Sequence, residues 1–410
     1  MRYTQIGRDR AGSPLIAPFM LCAAFSLFGG AACAQNFNAA PPNAANQRPA
    51  FAGQTRAPVI DDKIVLETAV VADGLVHPWG MVQLPGGGWL VTERPGRMRL
   101  IGEGGAVSDP IAGLPEVDAR GQGGLLDVVV SDGFSETRRV WWSYAEPRGE
   151  GGNGTAVATG VLSPDGSAMS DVRVIFRQQP AWRSTRHFGS RLVFDPSGAL
   201  FVTTGERSNP EPRQLAQDVG THLGKVLRID PDGGPADGNP VIQGGLPEIW
   251  SYGHRNLQAA ALGPDGALWT VEHGPRGGDE LNRPRPGRNY GWPVITYGID
   301  YSGYPIGDGL TARDGMEQPV YYWDPVIAPS GMVFYDGAMF PDWKGSVLIG
   351  GLASRALVRL TLEDGRVTGE ARYLQGYLGR IRDVDVVDDG AVMLLTDARD
   401  GKLVRVTSDE

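Results

Sequence analysis

The stretch Pro247–Pro293 holds the chain's densest set of chemically able side chains. It contains a His-Arg-Asn run (His254, Arg255, Asn256), a Gly-Pro turn (Gly274, Pro275) and an acidic pair (Asp279, Glu280). Guanidinium forks suit the carboxylates or phosphates of a bound ligand, and further loop arginines stand at Arg207, Arg355, Arg380 and Arg382. Asp279, Glu280 and Asp300, beside turns with free carbonyls, suit an oxygen-seeking Ca²⁺; the plainer reading is a solvated turn. Of the five histidines, His187 lies in RSTRHFGSRLVFD, just ahead of a strand and flanked by Arg186 and Gly189. An imidazole titrates near pH ~6.5, which makes a loop histidine a candidate general base, against the alternative of a structural ring bonded to a carbonyl. His222 leads into a strand and reads as structural. There is no HExxH, no GxSxG and no GxxxxGK[ST], so catalytic zinc on a helix, a nucleophile elbow and a P-loop are not indicated.

The elements that must position these groups are short strands. A Gly turn followed by alternating large apolar residues, with a Thr or an acid at the strand end, recurs in LPGGGWLVTERPG, DPSGALFVTTGER, GPDGALWTVEHG and VDDGAVMLLTDARD. Weaker copies are SPDG and LEDG. Amphipathic helices are almost absent, which argues against a nicotinamide-binding α/β unit. Strand-turn-strand units repeated along a chain predict an all-β, six-bladed β-propeller, at roughly 40–50 residues per blade plus long loops. In such a fold, loops distant in sequence converge around a central channel.

The 59 glycines and 31 prolines in 410 residues fit many tight turns, and a formal charge of −9 with no basic stripe argues against nucleic acid as partner. Arg2, Arg8 and Arg10 precede an apolar run from Leu15 to Phe28 that is short for a membrane span. Ala32-Cys33-Ala34 then fits a cleavage site, so residues 1–34 read as a signal peptide and the protein as periplasmic. Anchoring through Cys33 is the alternative. Both cysteines, Cys22 and Cys33, fall in this segment, which leaves the exported chain without a disulfide framework or a cysteine nucleophile. Residues 35–60, rich in Asn, Ala, Pro and Gln, read as a disordered linker, and residues 61–410 as the folded domain.

Seven spaced motifs then carry a resemblance: GLVHPWGMVQLPGGGWLVTERPGRMRLI, GQGGLLDV, RHFGSRLVFDPSG, THLGKVLRIDPDG, PEIWSYGHRN, EHGPRGGDELN with GRNYGWP, and GRIRDVDVVDDG ending in LLTD. In this order, over residues 64–407, they resemble the soluble quinoprotein glucose/sorbosone dehydrogenases, and more narrowly the periplasmic aldose sugar dehydrogenases dependent on pyrroloquinoline quinone (PQQ). The resemblance implies a six-bladed propeller that oxidises an aldose at C1 to a lactone, using PQQ and Ca²⁺ and passing electrons to a periplasmic acceptor. It implies His187 as the base, Arg255 and Asn256 at the quinone oxygens, and the carbonyls of Gly274 and Pro275 on a catalytic Ca²⁺. Gln122 would line the pocket. Arg380 and Arg382 would meet the PQQ carboxylates with Asp397 as acidic partner, and Asp279 would lie on the PQQ side. Glu280, Tyr290 and Asp300 would hold a structural Ca²⁺. Departures from the family pattern are Ala353 in place of a clamping lysine (with Arg355 reaching in instead), His273 and Arg207 in place of glutamines, and Arg186 where some members have an acid. A Ca²⁺-dependent lactonase and a non-catalytic sugar-binding propeller remain competing readings.

Overall fold

The computed structural model of the chain describes residues 36–408. Six small antiparallel sheets form the six blades of a β-propeller. Their innermost strands are Pro78–Gln83, Leu125–Val130, Gly189–Phe194, Leu257–Leu262, Pro329–Phe334 and Ile381–Val386, for blades 1 to 6 in turn. Five blades have four strands and blade 1 has three among the described residues. The ring closes non-locally. The outermost strand of blade 6 is Leu66–Leu75, from the start of the domain, paired with Gly401–Ser408 at its end. Closure of this kind leaves no long free edge.

The recurring turn phrase has a local cause. Gly166, Gly198, Gly266 and Gly390 all have φ between 73° and 87°, which a Cβ disfavours. In the DPSG turn, Asp195 accepts hydrogen bonds from the backbone of Ser197 (2.8 Å) and Ala199 (3.0 Å), and Asp265 and Asp389 hold Ala267 and Ala391 alike (3.1 Å each). These Asx-type contacts set the hairpin geometry before any tertiary packing. The alternating apolar residues then bury between neighbouring blades. A separate core cluster fills each of the six interfaces, the largest joining blades 4 and 5 around Trp269, Tyr321 and Trp323 and blades 1 and 2 around Trp142, Tyr144 and Met98. Each buried large side chain contributes about 1.5–3 kcal/mol.

Residues 37–60 are not a disordered linker in this structure; they strap the outer strands of blades 4 and 5. The amides of Asn43 and Ala44 donate to Asp324 (2.7 and 2.9 Å). Gln54 is buried and donates to the Pro319 carbonyl (2.9 Å), while Ile60 and Pro58 pair with Glu370. A segment poor in apolar residues can be ordered when the blades satisfy its backbone groups, and composition does not report that. The signal-peptide expectation lies outside the described residues. Among those residues, no helix is long and apolar enough to cross a membrane.

Candidate active site

The acids that end the recurring strand phrase share one job. Antiparallel pairing brings the end of each second strand opposite the start of its blade's innermost strand: Pro78 faces Glu93, Leu257 faces Glu272 and Ile381 faces Thr396. Each acid can therefore fasten the segment that leads into the channel wall. Glu93 accepts from the Val76 amide. Glu272 accepts from the Arg255 amide (2.6 Å) and pairs with His254 Nδ1 (2.9 Å). Asp397 binds Arg382 (2.7 Å), Arg380 (3.2 Å) and His77 Nδ1 (3.2 Å). In blade 3, Glu206 Oε2 lies 2.6 Å from His187 Nδ1.

His187 is buried, and its φ of 51° is a left-handed value uncommon outside glycine. It is held from several sides. Its amide donates to Gln122 Oε1 (2.8 Å), and its carbonyl accepts from Arg207 Nη1 (3.3 Å). With Glu206 accepting from Nδ1–H, the second nitrogen, Nε2, carries the lone pair and makes no hydrogen bond among the described residues. Burial pushes the His187 pKa down, Glu206 pulls it back up, and Arg255 pushes it down again; the net direction is down. Burial works against ionisation of Glu206, yet His187 and then Arg255 hold its carboxyl below the usual range. The pair is thus a neutral imidazole on an ionised carboxylate, ready to accept a proton at Nε2.

Beside it, at the end of the channel, is a cavity of about 110 Å³. Trp79, Leu126, Phe188 and Leu352 give it apolar walls, and Gln122, Gln258, His273, Arg94, Arg380, Arg382 and Asp397 give it polar ones. The Nε atoms of Arg94, Arg255 and Arg382 are buried with no hydrogen-bond partner. Around the cavity itself stand the guanidinium groups of Arg94, Arg380 and Arg382, a set that suits a multiply anionic, planar ligand. Asp397 stays ionised: burial opposes this, but Arg382 and then Arg380 hold its carboxyl well below the ordinary range. His273 is pushed down to about 3, chiefly by burial, and its Nε2–H donates to the Pro329 carbonyl (2.7 Å), so it is neutral. Behind the cavity, Arg191 joins Asp127 (2.9 Å) and Asp383 (3.0 Å), tying blades 2, 3 and 6 across the channel under Trp79.

The residues expected at a site fall into two groups. Gln122, Arg380, Arg382 and Asp397 line the cavity, and His187, Arg255 and Asn256 do not, but each bonds a residue that does: Gln122, His273 and Gly189 respectively. Asn256 Oδ1 accepts from the Gly189 amide (3.2 Å), and Arg255 Nη1 donates to the carbonyls of His273 (2.9 Å) and Gly274 (2.7 Å). Pro275 is buried in the same turn. The others are engaged elsewhere. Asp279 accepts from the amides of Gly274, Ile327 and Ala328 (2.7, 2.8 and 2.7 Å), shaping the turn from behind, and burial pushes its carboxyl up to about 7. Arg207 is buried 3.7 Å above the Phe188 ring and bonds the Ser184 carbonyl, so it braces the His187 loop and does not line the cavity. Arg355 is exposed and does not line the cavity either.

The side chains of Glu280, Tyr290 and Asp300 serve separate partners: Asn282, the Arg283 carbonyl, and Ser302 respectively. Among the described residues, no three acidic, His or Cys side chains gather as metal ligands. For a cation at the Gly-Pro turn the donors are carbonyls, and that of Gly274 keeps a second lone pair beside Arg255. Glu206, Glu272, Trp79, Phe188, Gln258 and Arg94 also belong to the site, although nothing in their residue type singles them out. The signal for both acids was present, since each closes a copy of the repeated strand phrase.

The family model described as glucose/sorbosone dehydrogenase matches residues 75–405. The chain is 45% identical over 343 residues to aldose sugar dehydrogenase YliI of Escherichia coli, covering 82% of this chain and 92% of that protein. Its fold superposes on the apo-form crystal structure of the soluble aldose sugar dehydrogenase of Escherichia coli with a TM-score of 0.80, at 44% identity and with 84% and 99% of the two chains covered. It also superposes on the PQQ-bound aldose sugar dehydrogenase of Streptomyces coelicolor with a TM-score of 0.70, at 28% identity and with 84% and 99% covered. A propeller whose channel mouth sets a carboxylate-held histidine near an arginine-walled cavity, matched over residues 75–405 by the family model, is a sugar dehydrogenase scaffold; the chain belongs to the glucose/sorbosone dehydrogenase family.

Proposed function

We propose that this protein is a periplasmic, PQQ- and Ca²⁺-dependent aldose dehydrogenase that oxidises the sugar's C1 hydroxyl and releases the lactone. The observation that carries the reading is the pairing of His187, with Nε2 unbonded and Nδ1 on Glu206, with a nearby cavity walled by the guanidinium groups of Arg94, Arg380 and Arg382. The residues fit the cofactor: PQQ bears three carboxylates on a planar ring system, and this cavity combines cationic donors with the faces of Trp79 and Phe188. When bound, PQQ supplies a two-electron acceptor, and Ca²⁺ on the Gly274 and Pro275 carbonyls polarises it.

The chain's own residues do the rest. His187 Nε2 takes the C1 hydroxyl proton as the C1–H bond breaks with its electron pair, and Glu206 stabilises the imidazolium formed. Arg255, its Nη1 fixed in advance by two carbonyls, would stabilise the negative charge that grows on the acceptor. Phe188, Leu126 and Leu352 keep water from the reacting atoms.

The test is reduction of an artificial dye by aldoses in the presence of purified protein, PQQ and Ca²⁺, with lactone hydrolysis measured in parallel without PQQ. Dye reduction that needs PQQ and is abolished by a calcium chelator is expected. Lactone hydrolysis alone would move the reading to a hydrolase, and sugar binding without either activity to a binding propeller.

A further inference from the structure

A second cleft, of about 660 Å³, is lined by Arg120, Arg183, Arg186 and Glu150 together with Ser184 and Thr185, on the segment that leads into the base. It runs against the charge of a chain that carries −9 overall. Two of its arginines are partly neutralised: Arg120 pairs with Asp118 (2.6 Å), and Arg183 reaches Glu150 at 3.4 Å. Arg186 is exposed and has no acidic partner among the described residues.

Arg186 is also the residue next to His187, on a segment that is tightly fastened. Arg207 donates to the Ser184 carbonyl (2.7 Å), Ser184 Oγ donates back to the Arg207 carbonyl (2.7 Å), and the Arg186 amide bonds Ser184 Oγ (3.2 Å). The Gln122 amide donates to the Thr185 carbonyl (2.8 Å) while its side chain holds the His187 amide (2.8 Å). The backbone that carries the free guanidinium is thus fixed relative to the imidazole that takes the proton.

From this geometry we infer that the cleft selects aldoses bearing an oxyanion, a carboxylate as in a uronic acid or a phosphate ester, and that Arg186 is the specificity-determining residue. The inference rests on the aldose-dehydrogenase reading of the cavity at the channel mouth. A planar guanidinium fork recognises a carboxylate by two parallel hydrogen bonds, whereas a neutral hydroxyl gains little from it. The acid group itself is unchanged by the reaction. C1 loses a hydride to PQQ, its hydroxyl proton goes to His187, and a C1 carbonyl forms.

The test compares glucose, glucuronate and glucose 6-phosphate as substrates of the PQQ- and Ca²⁺-loaded protein, and measures glucuronate binding to the same protein by calorimetry. The expected result is a higher kcat/KM for glucuronate than for glucose at low salt, with the advantage shrinking as ionic strength rises. In Arg186→Ala the glucuronate-to-glucose ratio should fall by about 10–100-fold, mostly through KM, with Arg186→Lys recovering part of it. A larger advantage for glucose 6-phosphate supports the cleft with phosphate as its anion. If glucose is oxidised but neither anionic sugar is favoured and the ratio ignores Arg186→Ala, the cleft inference is overturned while the dehydrogenase reading stands. If no aldose is oxidised yet glucuronate binds and Arg186→Ala weakens that binding, the cleft stands and the dehydrogenase reading falls. Absence of both oxidation and binding overturns both.

Discussion

Replacing Glu206 with Gln removes one negative charge 2.6 Å from His187 Nδ1 while keeping the side chain's size. Glu206 is 0% exposed and His187 5%, so water does little to screen the pair. A hydrogen bond to a charged group contributes about 1.5–3 kcal/mol. Here that contribution grows as the imidazole takes the substrate proton, so its loss falls on the transition state and predicts a rate about 10–150-fold lower. The same energy acts on the base's own titration. Glu206 raises the His187 pKa against the stronger depression by burial, so its removal lowers that pKa further. The assay is dye reduction by the PQQ- and Ca²⁺-loaded protein across pH, because the acid limb of kcat/KM reports the free enzyme's base. In the parent protein that limb should lie below pH ~6.5, and in Glu206→Gln it should move to lower pH while the plateau drops. A plateau and limb that stay in place, or a limb that moves up, would refute Glu206 as the group that orients and charges the base.

Three further outcomes are expected. His187→Ala should retain PQQ binding, measured by absorbance titration, while turnover falls by about 10²–10⁴-fold. Arg382→Ala removes a buried guanidinium from the cavity wall and should weaken PQQ binding by about 10–100-fold in the same titration, with a smaller effect on sugar KM. Arg191→Leu leaves Asp127 and Asp383 buried without their cation and should lower unfolding stability by about 3–5 kcal/mol in chemical denaturation at pH 7. Burial raises both carboxyls, so in this variant stability is retained near pH 4, where they are protonated, and lost as pH rises through their folded-state pKa values.

The propeller was legible because its unit repeats. Each DG or SG turn followed by alternating apolar residues is a local instruction, and the structure uses it in blade after blade. The closing strand Leu66–Leu75 carries no such phrase, since its partner at Gly401–Ser408 lies at the other end of the domain and pairing over that distance leaves no local mark. The strap at residues 37–60 leaves no local mark for a related reason. Its order comes from Asp324, Pro319 and Glu370, groups that composition of the segment cannot report.

At the site, His187, Arg380 and Arg382 stand out by residue type and loop position, whereas Gln122 and Asp397 are reached only through the family resemblance. Glu206 and Glu272 could not be assigned partners in advance, although the strand phrase ends on them. Their role depends on antiparallel register, which brings a strand's end opposite the start of its neighbour. Arg207 and Asp279 show the converse: a charged residue in a site loop can be spent on holding backbone, and only burial and hydrogen bonds reveal it.

The most direct measurement is the absorbance spectrum of PQQ added with Ca²⁺ to the purified protein, recorded before and after an aldose is supplied. The account predicts saturable binding of PQQ, followed by conversion of the bound cofactor to its reduced spectrum on addition of sugar, with lactone appearing in equal amount. PQQ that does not bind, or that binds and keeps its oxidised spectrum with every aldose offered, neutral or anionic, would contradict it.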